Sequence, residues 1–233
     1  MPLYPNVRRD FMQATDILMS EHRVIERVLT SLETQADKLA AGRPVRPGFF
    51  LDAASFIKGF ADGCHHRKEE GVLFEAMVAA GLPKQVGPIG VMLAEHEQGR
   101  VFTRGMRATA ERLAAGDASA TAAVVANTRG YAALLRQHIQ KEDGILYPMA
   151  DQMIPAAQHA AVVEAFEHVE HEETGEGVHE KYLALAEALE QEAAGQDSFK
   201  LRASRRVAAL CALKRRSDVV WRRCWSSRDN AAG

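Results

Sequence analysis

The chain has 233 residues, 47% of them hydrophobic, with 29 Lys and Arg against 31 Asp and Glu and a formal net charge of −2. That length and apolar content suffice for a sizeable packed domain plus an extension, and they exclude an intrinsically disordered chain. The near-neutral total hides a split: residues 197–233 carry 10 Lys and Arg against 3 Asp, whereas residues 1–196 carry 19 against 28 acidic residues.

Only 8 Pro, few β-branched runs and abundant Ala, Leu, Glu and Arg favour helix over strand throughout. Cys64, Cys211 and Cys224 lack the paired spacing of a disulfide scaffold or zinc ribbon, which suits a reducing compartment. No stretch reaches the roughly 18–20 apolar residues of a membrane span, and the N-terminus lacks a signal-peptide core. The expectation is a cytoplasmic protein without a membrane partner.

Residues 1–13 read as a lead-in. The first helix is capped by Thr15 or Asp16, runs through Ile17, Leu18, Ile25, Val28, Leu29 and Leu32, and stops before Gly42-Arg43-Pro44. A second begins near Pro47 and ends at Gly81-Leu82-Pro83; a third opens around Pro88 and closes at Gly116-Asp117. The fourth spans about Ser119 to Ala150, with Pro148 bending or ending it. Short loops between them predict an all-α, up-down-up-down four-helix bundle over residues 14–150. Residues 151–196 predict an additional helical segment packing on the bundle, broken at Gly175-Glu176-Gly177. Residues 197–233 form a basic tail, read as disordered or as a basic helix; without a folded reader motif, a nucleic-acid partner is not expected.

One ten-residue pattern occurs twice, from His65 to Phe74 and from His138 to Tyr147, and each copy places a histidine four residues before a glutamate. On a helix that spacing puts both groups on one face, with Cβ atoms roughly 5–6 Å apart. The repeat extends upstream: Glu21-His22 matches Glu95-His96, and the separations from His22 to His96 and from His65 to His138 are 74 and 73 residues. Two copies of one helical hairpin, each with a lone His and a His-x-x-x-Glu, place one candidate ligand site on each of four helices. Two such faces turned toward each other make a dinuclear metal cage.

Register within the first copy is ambiguous, because His66-x-x-x-Glu70 has the same spacing as His65-x-x-x-Glu69. Aligning Gly-Val-Leu-Phe with Gly-Ile-Leu-Tyr equates His65 with His138 and Glu69 with Glu142, and sets His66 opposite Ile139, which cannot ligate metal. His66 and Glu70 are then outer or surface groups. Phe74 and Tyr147 read as core residues, Cys64 as a small buried one, and His168 and His171 as members of a solvated acidic face.

On His22, His65-x-x-x-Glu69, His96 and His138-x-x-x-Glu142, with the Lys-Glu-Glu/Asp runs that follow, residues 14–150 resemble the hemerythrin-like, or HHE cation-binding, family. The resemblance implies a four-helix bundle around two non-haem iron ions, with histidines as terminal ligands and two carboxylates as bridges. It implies a small diatomic or peroxide as partner. The His and carboxylate set suits iron or manganese, and zinc can occupy it. Asp143, five residues after His138 as in the family's oxygen carriers, competes with Glu142 for the bridge. The pattern departs from those carriers where Arg100 stands in place of a second histidine on the third helix. His179, just after the Gly175–Gly177 break, is the candidate fifth histidine, the alternative being an ordinary surface residue. Binding of O2 or NO for sensing or delivery, turnover as a diiron oxidoreductase, and iron buffering all fit these residues.

Overall fold

Helix α1 (Ala14–Ala40) begins one residue ahead of the expected caps, with the Asp16 carboxylate accepting from the Gln13 backbone N–H at 3.1 Å. It ends where Gly42 takes a positive φ of 69°. The structure, a computed structural model, describes residues 13–175 and 177–195. The lead-in at residues 1–12 and the basic tail at 197–233, with Cys211 and Cys224, lie outside the described residues.

Helix α2 (residues 47–79) starts with Pro47 in its first turn and contains two wide π turns, Ile57–His65 and Glu69–Leu73. Helix α3 (Gly87–Ala114) has Pro88 in its first turn. Helix α4 (residues 121–153) follows a short 3₁₀ turn whose Asp117 side chain accepts from Ser119 N–H. It carries one π turn, Glu142–Leu146, in the repeat-equivalent place. Pro148 does not end α4, which continues through Met153. The π turn immediately ahead redirects the backbone hydrogen bonds from i−4 to i−5, so the missing proline N–H and its clash one turn back fall where the ladder is already altered.

After a 3₁₀ turn at Ala156–Gln158 come α5 (residues 159–175) and α6 (Val178–Ala193). Gly175 and Gly177 separate them with φ values of 107° and 77°, a left-handed excursion that side chains with a Cβ resist.

Packing pairs α1 with α4, α4 with α3 and α3 with α2, while α6 lies against α1 and α2. All described residues in regular structure are helical. One apolar cluster joins Ile25, Leu29 and Leu32 of α1 to Phe49, Phe50, Phe56 and Phe60 of α2, Met106 of α3, Val124 and Leu135 of α4, and Leu189 of α6. A second joins Leu18 of α1, Leu73, Phe74 and Met77 of α2, Ile89 of α3, Leu146 and Tyr147 of α4, and Phe166 of α5. One end of the bundle thus collects the starts of α1 and α3 with the ends of α2 and α4, and the other end the reverse. Truncating a fully buried ring such as Phe50 to alanine costs about 3–5 kcal/mol. Between the two clusters, every helix of the four contributes a buried histidine.

Candidate metal centre

His22 on α1, His65 and His66 on α2, His96 on α3 and His138 on α4 are all buried, as are Glu69 and Glu142. Their metal-binding atoms form two adjoining groups, His22, His65, Glu69 and Glu142 on one side and His66, Glu69, His96 and His138 on the other, with the atoms of each group within 4.8 Å of one another.

The carboxylates lie between the groups. Glu142 Oε2 is 3.3 Å from His22 Nε2, and its Oε1 is 3.1 Å from His138 Nε2, so its two oxygens face opposite halves. Glu69 Oε2 lies 3.7 Å from His65 Nε2 and 3.5 Å from His96 Nε2. Burial and the neighbouring Glu142 push the Glu69 carboxyl well above its ordinary range. Against the opposing effect of burial, His138 and His22 hold Glu142 well below it. Two carboxylates this close and this dry cannot both stay ionised without positive charge, a shared proton or a cation, between them.

Each of the five imidazoles turns its other nitrogen to a dedicated carboxylate. His22 Nδ1 meets Asp143 at 2.6 Å, His65 Nδ1 meets Glu21 at 2.9 Å, His66 Nδ1 meets Asp62 at 2.9 Å, His96 Nδ1 meets Glu70 at 2.7 Å, and His138 Nδ1 meets Glu95 at 2.9 Å. An ionised carboxylate only accepts, so each Nδ1 donates to its carboxylate and leaves Nε2 as the nitrogen aimed inward. His96 Nε2 and His138 Nε2 sit 3.0 Å apart, a spacing at which one cation can meet both. Buried and without a hydrogen-bond partner are His65 Nε2, His66 Nε2, Glu69 Oε2 and both Glu142 oxygens, all at this centre. Orphaned nitrogen and oxygen atoms aimed at one another fit a metal of intermediate or hard character.

Behind the carboxylates stand cations, and the repeat explains two of the four. Lys68 and Lys141, each three residues after a candidate ligand histidine, pair with Glu21 and Glu95; Arg23 pairs with Asp143, and Arg100 with Glu70 at 2.6 Å. Despite burial, Lys68 and His65 hold the Glu21 carboxyl down to about 2. Asp62 is the exception, with Arg100 no nearer than 3.5 Å, and burial pushes it up to about 6.

A profile of the hemerythrin HHE cation-binding domain matches residues 13–150. The chain belongs to that family. It is also 27% identical over 163 residues to uncharacterized proteins of Mycobacterium bovis and Mycobacterium tuberculosis, a match covering 70% of this chain and 63% of theirs. No solved structure matches. No helix among the described residues is long and apolar enough to cross a membrane.

Among HHE residues predicted from the sequence, His22, His65, Glu69, His96, His138 and Glu142 come together in the centre. His179 does not. It is buried beside Cys64, whose Sγ is 3.9 Å from its Nδ1, and beside Glu170 at 3.4 Å, with the Lys68 ammonium on Glu170 and Glu21. The glycine break does turn the chain back onto the bundle, but it delivers His179 to the Phe60 ring rather than to the cage. Conversely, His66 is no surface group: it is 3% exposed and stacks on His96 with ring centroids 3.8 Å apart. The comparison of the two copies set it aside because Ile139 stands opposite, yet a helix face one residue round still reaches a neighbouring helix. Asp143, the competing bridge, lies outside on His22 and Arg23.

Sequence reasoning passed over Glu21, Glu95, Asp62, Lys68 and Lys141 as functional residues. The signal for four of them was present, in the duplicated Glu-His pairs and in the lysine three residues after His65 and His138.

Proposed function

We propose that the chain holds two non-haem iron ions between Glu69 and Glu142 and uses them to bind or react with a small oxidant, O2, NO or peroxide, in sensing, delivery or detoxification. The observation that carries the reading is the pair of adjoining donor groups sharing Glu69, with the two Glu142 oxygens facing opposite halves. His66, His96 and His138 would hold one ion, and His22 and His65 the other. In this reading His66 takes the place of the histidine that Arg100 displaces from the third helix, while Arg100 steadies Glu70 and through it His96.

Bound iron would supply Lewis acidity and one-electron chemistry toward the oxidant. The chain supplies the rest. The five Nδ1–carboxylate bonds fix each imidazole's tautomer and aim, and the apolar clusters on either side keep water away from the donors. The His22 side has two histidines where the other side has three.

Metal analysis with a visible spectrum of protein purified without added metal tests this. About two irons per chain and a ligand-to-metal absorption support it; fewer than one iron per chain after reconstitution, with no such absorption, sinks it. Stopped-flow mixing of the reduced protein with O2 then separates reversible carriage from turnover and from iron buffering. Bound manganese or zinc in place of iron would keep the cage and remove the redox role from a zinc-loaded protein.

A further inference from the structure

The two halves of the centre differ by more than a histidine. Tyr147 is fully buried, and its hydroxyl donates to Glu69 Oε1 at 2.6 Å while its oxygen lies 3.3 Å from His22 Nε2. Its ring stacks against His22 with centroids 5.4 Å apart. The π turn Glu142–Leu146 makes this reach possible, because an i→i+5 repeat brings the residue five positions after Glu142 back toward the glutamate's own face. The same turn after Glu69 brings round Phe74, which has no oxygen and lies against His96.

His22 Nδ1 is committed as a donor to Asp143, so Nε2 is the nitrogen left to meet a metal. With the phenol proton committed to Glu69, the Tyr147 oxygen turns lone-pair density toward that nitrogen. The Tyr147 oxygen and His22 Nε2, 3.3 Å apart and both buried, lie on the side where His22, His65, Glu69 and Glu142 gather their donor atoms.

Resting on the diiron reading, we infer that the Tyr147 phenol oxygen is a metal donor of the His22–His65 half, ligating ferric iron as a phenolate. The O–H bond breaks, its electron pair becomes the bond to the metal, and the proton leaves by way of Glu69 to solvent; no electron is transferred. Each ion then has three side chains of its own, His66, His96 and His138 on one side and His22, His65 and Tyr147 on the other, about the same two carboxylates. Each repeat supplies one group that its twin lacks, His66 against Ile139 and Tyr147 against Phe74.

The test compares wild-type protein with Tyr147→Phe after loading with ferrous iron and oxidation in air. Iron content is measured together with visible absorption and resonance Raman spectra. The wild type is expected to bind about two irons and to show a phenolate-to-iron band with ring modes; Tyr147→Phe should keep its helicity and at least one iron and lose that band. A wild-type protein that binds two irons without phenolate modes overturns the inference and leaves the diiron reading standing. A wild type without iron overturns both. Should Tyr147→Phe fail to fold, wild-type protein grown on ring-deuterated tyrosine decides: the modes shift, and survive in a variant with Tyr4, Tyr131 and Tyr182 all changed to Phe, if Tyr147 ligates. They are absent, or vanish in that variant, if it does not.

Discussion

The His22–His65 half of the centre and the His66–His96–His138 half are built from one duplicated hairpin, yet they are not alike. The shared parts are outer supports: Glu21 behind His65 and Glu95 behind His138, Asp143 behind His22 and Glu70 behind His96, with Lys68 and Lys141 at matching positions. The unshared parts are inner ones, His66 and Tyr147. Duplication supplies a frame that aims imidazoles, and departures from the two-fold relation decide what each half does. The difference also reaches the supports, since Asp62 behind His66 is the one carboxylate without a close cation.

Glu142 is the strongest place to break the comparison, because its oxygens face both halves. Glu142→Gln should reduce iron from about two per chain to less than one, by metal analysis; loss of a single ion would mean that the halves do not share it. Glu21→Gln acts next, through stability. It leaves the fully buried Lys68 with Glu170 at 3.2 Å as its remaining carboxylate, a half-broken buried pair costing about 1–3 kcal/mol in denaturant unfolding of the metal-free protein. The sign follows from the depressed Glu21 carboxyl: its contribution is complete above the unfolded value near 4.5 and disappears as pH falls through about 2, so wild type and variant should converge in acid.

His66→Ala should leave one iron per chain, retained by the His22 half, with wild-type helicity by circular dichroism. Two irons in that variant would return His66 to an outer role. Asp62→Asn sharpens the same side more gently, weakening metal at the His66 half by roughly 10–100-fold in a competition titration, as for other carboxylates behind ligating histidines. Gly59→Ala touches neither half. A Cβ there would collide with the Tyr182 ring, so thermal unfolding should show a loss of about 1–3 kcal/mol from the docking of α6 with the metal spectrum unchanged.

The helices were legible because their punctuation is strong: Pro47 and Pro88 at starts, Gly42, Gly81 and Gly116 at ends, and the two glycines before α6. Six of the residues now in the centre were legible from spacing repeated at 73 and 74 residues. His66 was not, because internal comparison rewards what two copies share and discards what one copy adds. Tyr147 was not, because on a regular α-helix the fifth residue after Glu142 points well away from it; the π turn that turns it back leaves no signature in the pattern of apolar residues. His179 was misplaced for a related reason. A glycine break says that a chain turns, and only the packing of α6 on α1 and α2 says where it lands.

The layer of imidazoles and carboxylates lies across the middle of the bundle, with an apolar cluster on each side. A protein that keeps its polar groups there has tied its own survival to its cofactor supply. Ions bound to the folded chain and not to the unfolded one add RT ln(1 + [L]/Kd) to stability, about 2.7 kcal/mol at a hundredfold excess over Kd. When the metal is scarce that increment vanishes, and the population open to proteolysis grows by the corresponding factor of about a hundred. The abundance of this chain in a cell would then report on the supply of that metal, with no separate regulator needed.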